Sequence, residues 1–139
     1  MLPVMTIGVL SRRTGVSVKT LREYEGMGLI YTVGRSPGNY RLFGEEALWC
    51  IGMVGVLRGL GLTLAEIQEL AAVYLQPSDE PIGPRLGNVL GVVRERTQAR
   101  IADLQSLLQR IEDFEAGHEA ELGGWADFDV QDPRSHAEA

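Results

Sequence analysis

A single cysteine, Cys50, stands in a chain of 139 residues. An internal disulfide framework, a zinc ribbon and a CxxC site each need a second thiol, so all three are excluded. Aromatic residues are sparse at 6%, and a core must be assembled from Leu, Val and Ile. Of the two histidines, His118 and His136, both fall in a polar stretch with nearby carboxylates and read as surface residues rather than metal ligands. No apolar run approaches the ~18–20 residues needed to cross a bilayer. Met1 to Ile7 has no basic stretch ahead of an apolar block, so no secretory signal is expected. There is no nucleophile–base motif, phosphate-binding loop or paired-carboxylate spacing, and an enzyme is not expected. These absences lead to the expectation of an intracellular protein.

What is present is the balance of a globular protein, 45% apolar and 23% charged, with length for one domain plus an appendage. The net charge of −6 argues against nucleic acid until the chain is divided. Residues 1–62 hold seven basic against four acidic side chains, a net +3, whereas residues 63–139 hold six against fifteen, a net −9. The charge of a domain's own face decides whether it can neutralise phosphates, so the first half is a candidate phosphate-facing module.

Helical patterning runs from Thr6 to Met27 with one break at Gly15-Val16-Ser17. Thr6 and Ser17 suit N-caps, because a hydroxyl accepts from free N–H groups of the next turn. Two short helices around such a turn form a helix-turn-helix. Leu29 to Val33 and Tyr40 to Phe43 are β-prone, and Gly34 to Asn39 between them is turn chemistry, which predicts a hairpin carrying Arg35 and Arg41. Glu45 to Leu60 is expected as a helix, with its acids in the first turn. Thr63 and Glu66 fit a capping box opening a helix to about Leu75.

The expected boundaries are a DNA-binding domain over 1–76, a linker over 77–84, a long helix over 85–117 and a loosely ordered acidic tail over 118–139. The long helix carries two series spaced by seven. Leu90, Thr97, Leu104 and Ile111 form one; Leu86, Val93, Arg100, Leu107 and Phe114 form the other. That is a heptad seam, broadened by Ile101 and Leu108, and it predicts pairing with a second copy through Leu86, Leu90, Val93, Leu104, Leu107, Ile111 and Phe114. Arg100 interrupts the seam; an antiparallel partner lets it snorkel or meet an acid.

Thr6 to Ile30, Gly38 to Phe43 and Leu57 to Ile67 together resemble the MerR family of bacterial transcription regulators, in order and spacing over about seventy residues. The resemblance implies a mostly α fold, a winged helix-turn-helix followed by a dimerisation helix in an antiparallel coiled coil. It also implies a homodimer on an inverted repeat of double-stranded promoter DNA, with the second helix of each copy in a major groove. Activators of the family bend and untwist the spacer between the −35 and −10 elements, so RNA polymerase is an indirect partner. The expected place is the cytoplasm, on the nucleoid.

Val18, Leu21 and Tyr24 have core-like spacing, which leaves Lys19, Thr20, Arg22 and Glu23 outward. Lys19 and Arg22 can reach guanine edges or phosphates. Tyr40, Arg41 and Arg58 match family positions that grip the backbone, and Tyr24 matches the second of two adjacent aromatics. Candidate DNA contacts are therefore Ser17, Lys19, Thr20, Arg22, Tyr24, Arg35, Tyr40, Arg41 and Arg58. Glu23 replaces the first aromatic; it either accepts from a cytosine amino group or partners Arg22 or Lys19.

No cofactor and no metal are expected. The cysteines that soft-metal and redox relatives place around the dimer helix have no counterpart, and Cys50 in its apolar run reads as a buried, inert thiol. No counterpart of the drug-sensing relatives' large ligand domain is expected in residues 118–139. A small-molecule effector stays open, with a small pocket among the long helix, Leu64 to Leu75, Trp125 and Phe128 as its place. The alternative functions are an effector-independent architectural or accessory DNA-binding protein and a pure dimer-interaction protein.

Overall fold

The computed structural model describes residues 3–76 and 79–127. The chain opens on helix α1, Ile7–Thr14. Thr6 caps it by accepting from the Val9 N–H, and Gly15 ends it at φ 75°, the left-handed conformation that costs glycine least. The Ser11 hydroxyl donates to the Val16 carbonyl at 2.6 Å, which fixes the turn. Helix α2, Val18–Gly26, then begins on a second hydroxyl cap, Ser17 accepting from the Thr20 N–H. Two capped helices about a left-handed glycine give the expected helix-turn-helix.

The hairpin is shorter than its sequence predicts. Strands β1, Gly34–Arg35, and β2, Arg41–Leu42, pair antiparallel with Gly34 opposite Leu42 and Arg35 opposite Arg41. Leu29 and Ile30, β-prone as they are, lie outside the ladder and buried, the Leu29 N–H donating to the Tyr24 carbonyl at 2.9 Å. Apolar burial there outcompetes ladder formation, and pairing starts only where the Val33 N–H donates to the Leu42 carbonyl at 2.8 Å. Asn39 closes the turn at φ 65°. Below the hairpin, Met5 and Phe43 exchange two backbone bonds of 2.8 Å, tying the start of the chain to the base of the wing.

Helix α3 spans Glu45–Gly59 and helix α4 spans Leu64–Tyr74, the latter opened by the complete capping box of Thr63 and Glu66. Gly61, at φ 97°, makes the turn between them. Helix α5 spans Ile82–Gly117, three residues longer at its start than the sequence predicts. Pro84 does not delay it, because the first-turn N–H groups have no intrahelical acceptor to lose. One further turn, α6 at Glu119–Leu122, follows in the segment expected to be loose; Phe128 and His136 lie outside the described residues.

Two compact units result, one through Val93 and the other from Arg94 on. The first has two apolar clusters. Met5, Leu10, Leu21, Ile30, Phe43, Ala47 and Ile51 join α1, α2, the wing base and α3. Leu29, Val54, Leu57, Leu62, Ile67, Leu70 and Val93 join α3, α4 and the start of α5. Tyr24 packs against both and couples α2 to each. Among the described residues, no helix is long and apolar enough to cross a membrane.

Candidate nucleic-acid interface

The outer face of α2 follows from its buried one. Leu21 is fully buried, Val18 and Tyr24 are half-buried, and Lys19, Arg22 and Glu23 are exposed. One turn beyond Arg22, at the i+3 position that shares its face, lies Glu25. Its carboxylate accepts from Arg41 Nη1 at 2.6 Å, joining α2 to strand β2. The Arg41 side chain remains 58% exposed against 19% for Glu25, so the guanidinium is held on one side and open to solvent on the other.

On the wing, Arg35 Nη1 donates to the Asn39 carbonyl at 3.1 Å, bracing the turn with its own cation. Tyr40 stands exposed beside it. Arg22, Glu25, Arg35, Asn39, Tyr40 and Arg41 thus line one concave face between α2 and the hairpin. A groove with three guanidiniums, one carboxylate and a planar aromatic suits a polyanion with a π-face.

The other predicted contacts lie elsewhere. Lys19 is on the exposed side of α2 but not in the groove, and Arg58 is exposed in the last turn of α3. Ser17 and Thr20 bond each other, hydroxyl to hydroxyl, at 2.9 Å as part of the cap. Tyr24 is committed largely to the core. Among the described residues Glu23 makes no ion pair with Lys19 or Arg22, its outward direction being set by the helix. Sequence reasoning missed Glu25 as a site residue; its place on the Arg22 face was the available signal.

The predicted dimer residues divide as well. Val93 is only 5% exposed, and Leu86 and Leu90 pack beside it on the first unit's own core. Leu104, Leu107, Ile111 and Phe114 stand exposed on α5, together with Ile101 and Leu108. One heptad pattern therefore serves two surfaces. Cys50 is half-buried rather than buried, and burial, followed by the nearby Glu46 charge, raises its thiol pKa. Among the described residues no three His, Cys, Asp or Glu side chains are grouped to hold a metal ion.

Comparison with known proteins fits this arrangement. Residues 5–73 match the profile of the MerR HTH family regulatory proteins, and residues 51–114 match the MerR, DNA binding profile. The HTH-type transcriptional regulator ZntR of Escherichia coli K12 is 34% identical over 113 residues, which cover 77% of each chain. The chain belongs to the MerR family. It is a DNA-binding transcriptional regulator of that family, and its fold recurs in solved relatives. A MerR-family regulator from Bacillus cereus superposes with a TM-score of 0.64 at 21% identity, over 86% of this chain and 85% of the other. The regulator in the EcmrR–DNA complex superposes with a TM-score of 0.66 at 25% identity, covering 84% of this regulator and 40% of that chain.

Proposed function

We propose that this MerR-family regulator acts as a homodimer that binds an inverted repeat within a promoter and reshapes the spacer between the −35 and −10 elements. The observation that carries the reading is the gathering of Arg22, Arg35 and Arg41 around one concave face between recognition helix and wing. In this reading Arg22 and Lys19 approach base edges and phosphates from α2, while Arg35, Tyr40, Arg41 and Arg58 set register on the backbone. Ser17 and Thr20 stand at the helix N-terminus, where backbone N–H groups favour phosphate. Tyr24 acts by packing, holding α2 on its two clusters.

The exposed stripe of Leu104, Leu107, Ile111 and Phe114 gives the dimer its seam, and an antiparallel pair sets two half-sites apart at a fixed distance. Rigid spacing is what lets protein–protein packing be spent on bending DNA, since deformation of a promoter-length site costs several kcal/mol. The EcmrR regulator, a structural neighbour solved in complex with DNA, supports the DNA-binding part of this reading. In the cell such a protein works in the cytoplasm on the nucleoid, reaching polymerase through the DNA.

Footprinting over the DNA flanking its coding sequence, at stated salt, tests the reading. Protection of an inverted repeat between −35 and −10, with enhanced cleavage at its centre and loss of both in Arg22→Ala, is expected. Protection without central distortion would leave an architectural protein; no protection with Arg22 intact would remove the promoter reading.

A further inference from the structure

The first unit also carries a cleft of about 250 Å3 between α3, α4 and the first turns of α5. Trp49, Cys50, Met53, Ala71, Tyr74 and Leu86 are among its walls, and among the described residues no charged side chain lines it. Trp49 and Tyr74 stack with ring centroids 5.4 Å apart and planes at 24°, yet both remain half-exposed. Two large aromatics are thus held in water beside an apolar hollow.

We propose that this cleft binds a neutral, two-ring aromatic molecule. Neutrality follows from the walls, which offer no counter-charge; a charged guest would lose its hydration without recompense. The Cys50 thiol, with burial opposing its ionisation, keeps that character. Size follows from volume. An apolar cavity of ~150 Å3 stays dry and admits benzene, so about 250 Å3 has room for a second ring. Aromaticity follows from the Trp49 and Tyr74 faces, which favour offset or edge-on ring contacts over aliphatic ones. Bound there, a ring system would bridge α3, α4 and α5 and complete an apolar patch that water now touches. The site lies apart from the basic groove, and its test needs no DNA, so it stands or falls independently of the promoter reading.

The probe is 6-propionyl-2-(dimethylamino)naphthalene, a neutral two-ring fluorophore whose emission rises and shifts to the blue in apolar surroundings, titrated into the full chain. A saturable rise at one probe per chain is expected. Ala71→Trp, which fills the cleft from α4, should abolish the rise while circular dichroism stays helical. Trp49→Ala provides the independent variant, since a half-exposed residue is removable without unfolding, and it should weaken binding by about tenfold. No saturable rise in the wild type, or an equal rise in folded Ala71→Trp, would overturn the site. So would a rise confined to dilutions at which the chain is monomeric, because a second copy would then be the occupant.

Discussion

Arg41 carries two competing attachments, the Glu25 carboxylate it already holds and the phosphate proposed for it. Glu25→Gln keeps the shape and removes the charge. Stability should change by less than about 1 kcal/mol in urea melts, because the Arg41 side of the pair is more than half exposed. Affinity for DNA of any sequence should rise by about threefold at low salt and less at high salt, as read by fluorescence anisotropy. Arg41→Ala should weaken all sequences alike and lower the salt slope by about 1, whereas Arg22→Ala should cost about 1–3 kcal/mol at one base position and relax specificity there. Cys50 gives a pH prediction. Its folded thiol is raised by burial first and by Glu46 second, so the unfolded chain releases the proton at lower pH than the fold. This contribution is complete below the unfolded thiol's range and declines as pH climbs through the raised value. Alkylation by iodoacetamide should accordingly follow a curve displaced to higher pH than that of free cysteine.

Elements are stopped and started by few residues, and these were the most readable. Thr6, Ser17 and the Thr63–Glu66 box announce helix starts because each cap is local chemistry, settled within three positions. Thr63→Ala should cost about 1 kcal/mol in a urea melt, and Gly15→Ala, forced to keep φ 75°, about 1–2 kcal/mol. Less legible were features decided at a distance. Leu29 and Ile30 have strand propensity, but neighbours from α2, α3 and α4 draw them into the core. Pro84 looks like a breaker until its place in the first turn of α5 is known. The Glu25–Arg41 pair joins positions sixteen apart and exists only because the wing folds beside α2. Helix α3 is apolar nearly all round, so periodicity could not tell which of its residues would line the cleft and which the core.

At the level of the whole molecule, the heptad pattern of α5 means one thing up to Val93 and another beyond it. Leu86, Leu90 and Val93 are committed to the first unit, while the later seam residues face solvent in a single chain. Leu107→Glu together with Ile111→Glu should therefore leave thermal unfolding of the first unit unchanged and give a monomer by sedimentation velocity. Affinity for an inverted repeat should fall by about a hundredfold, since two linked half-sites then bind as separate ones. The two tryptophans differ in setting: Tyr74 covers one face of Trp49, and Trp125 is 87% exposed. A collisional quencher should reach Trp125 first and Trp49 later, splitting the emission into two populations. At 5.4 Å, light absorbed by Tyr74 passes to Trp49 before it can be emitted. The unlabelled chain therefore carries its own optical gauge: when α3 and α4 come apart, the tyrosine-sensitised share of the tryptophan band is lost and the tyrosine band brightens.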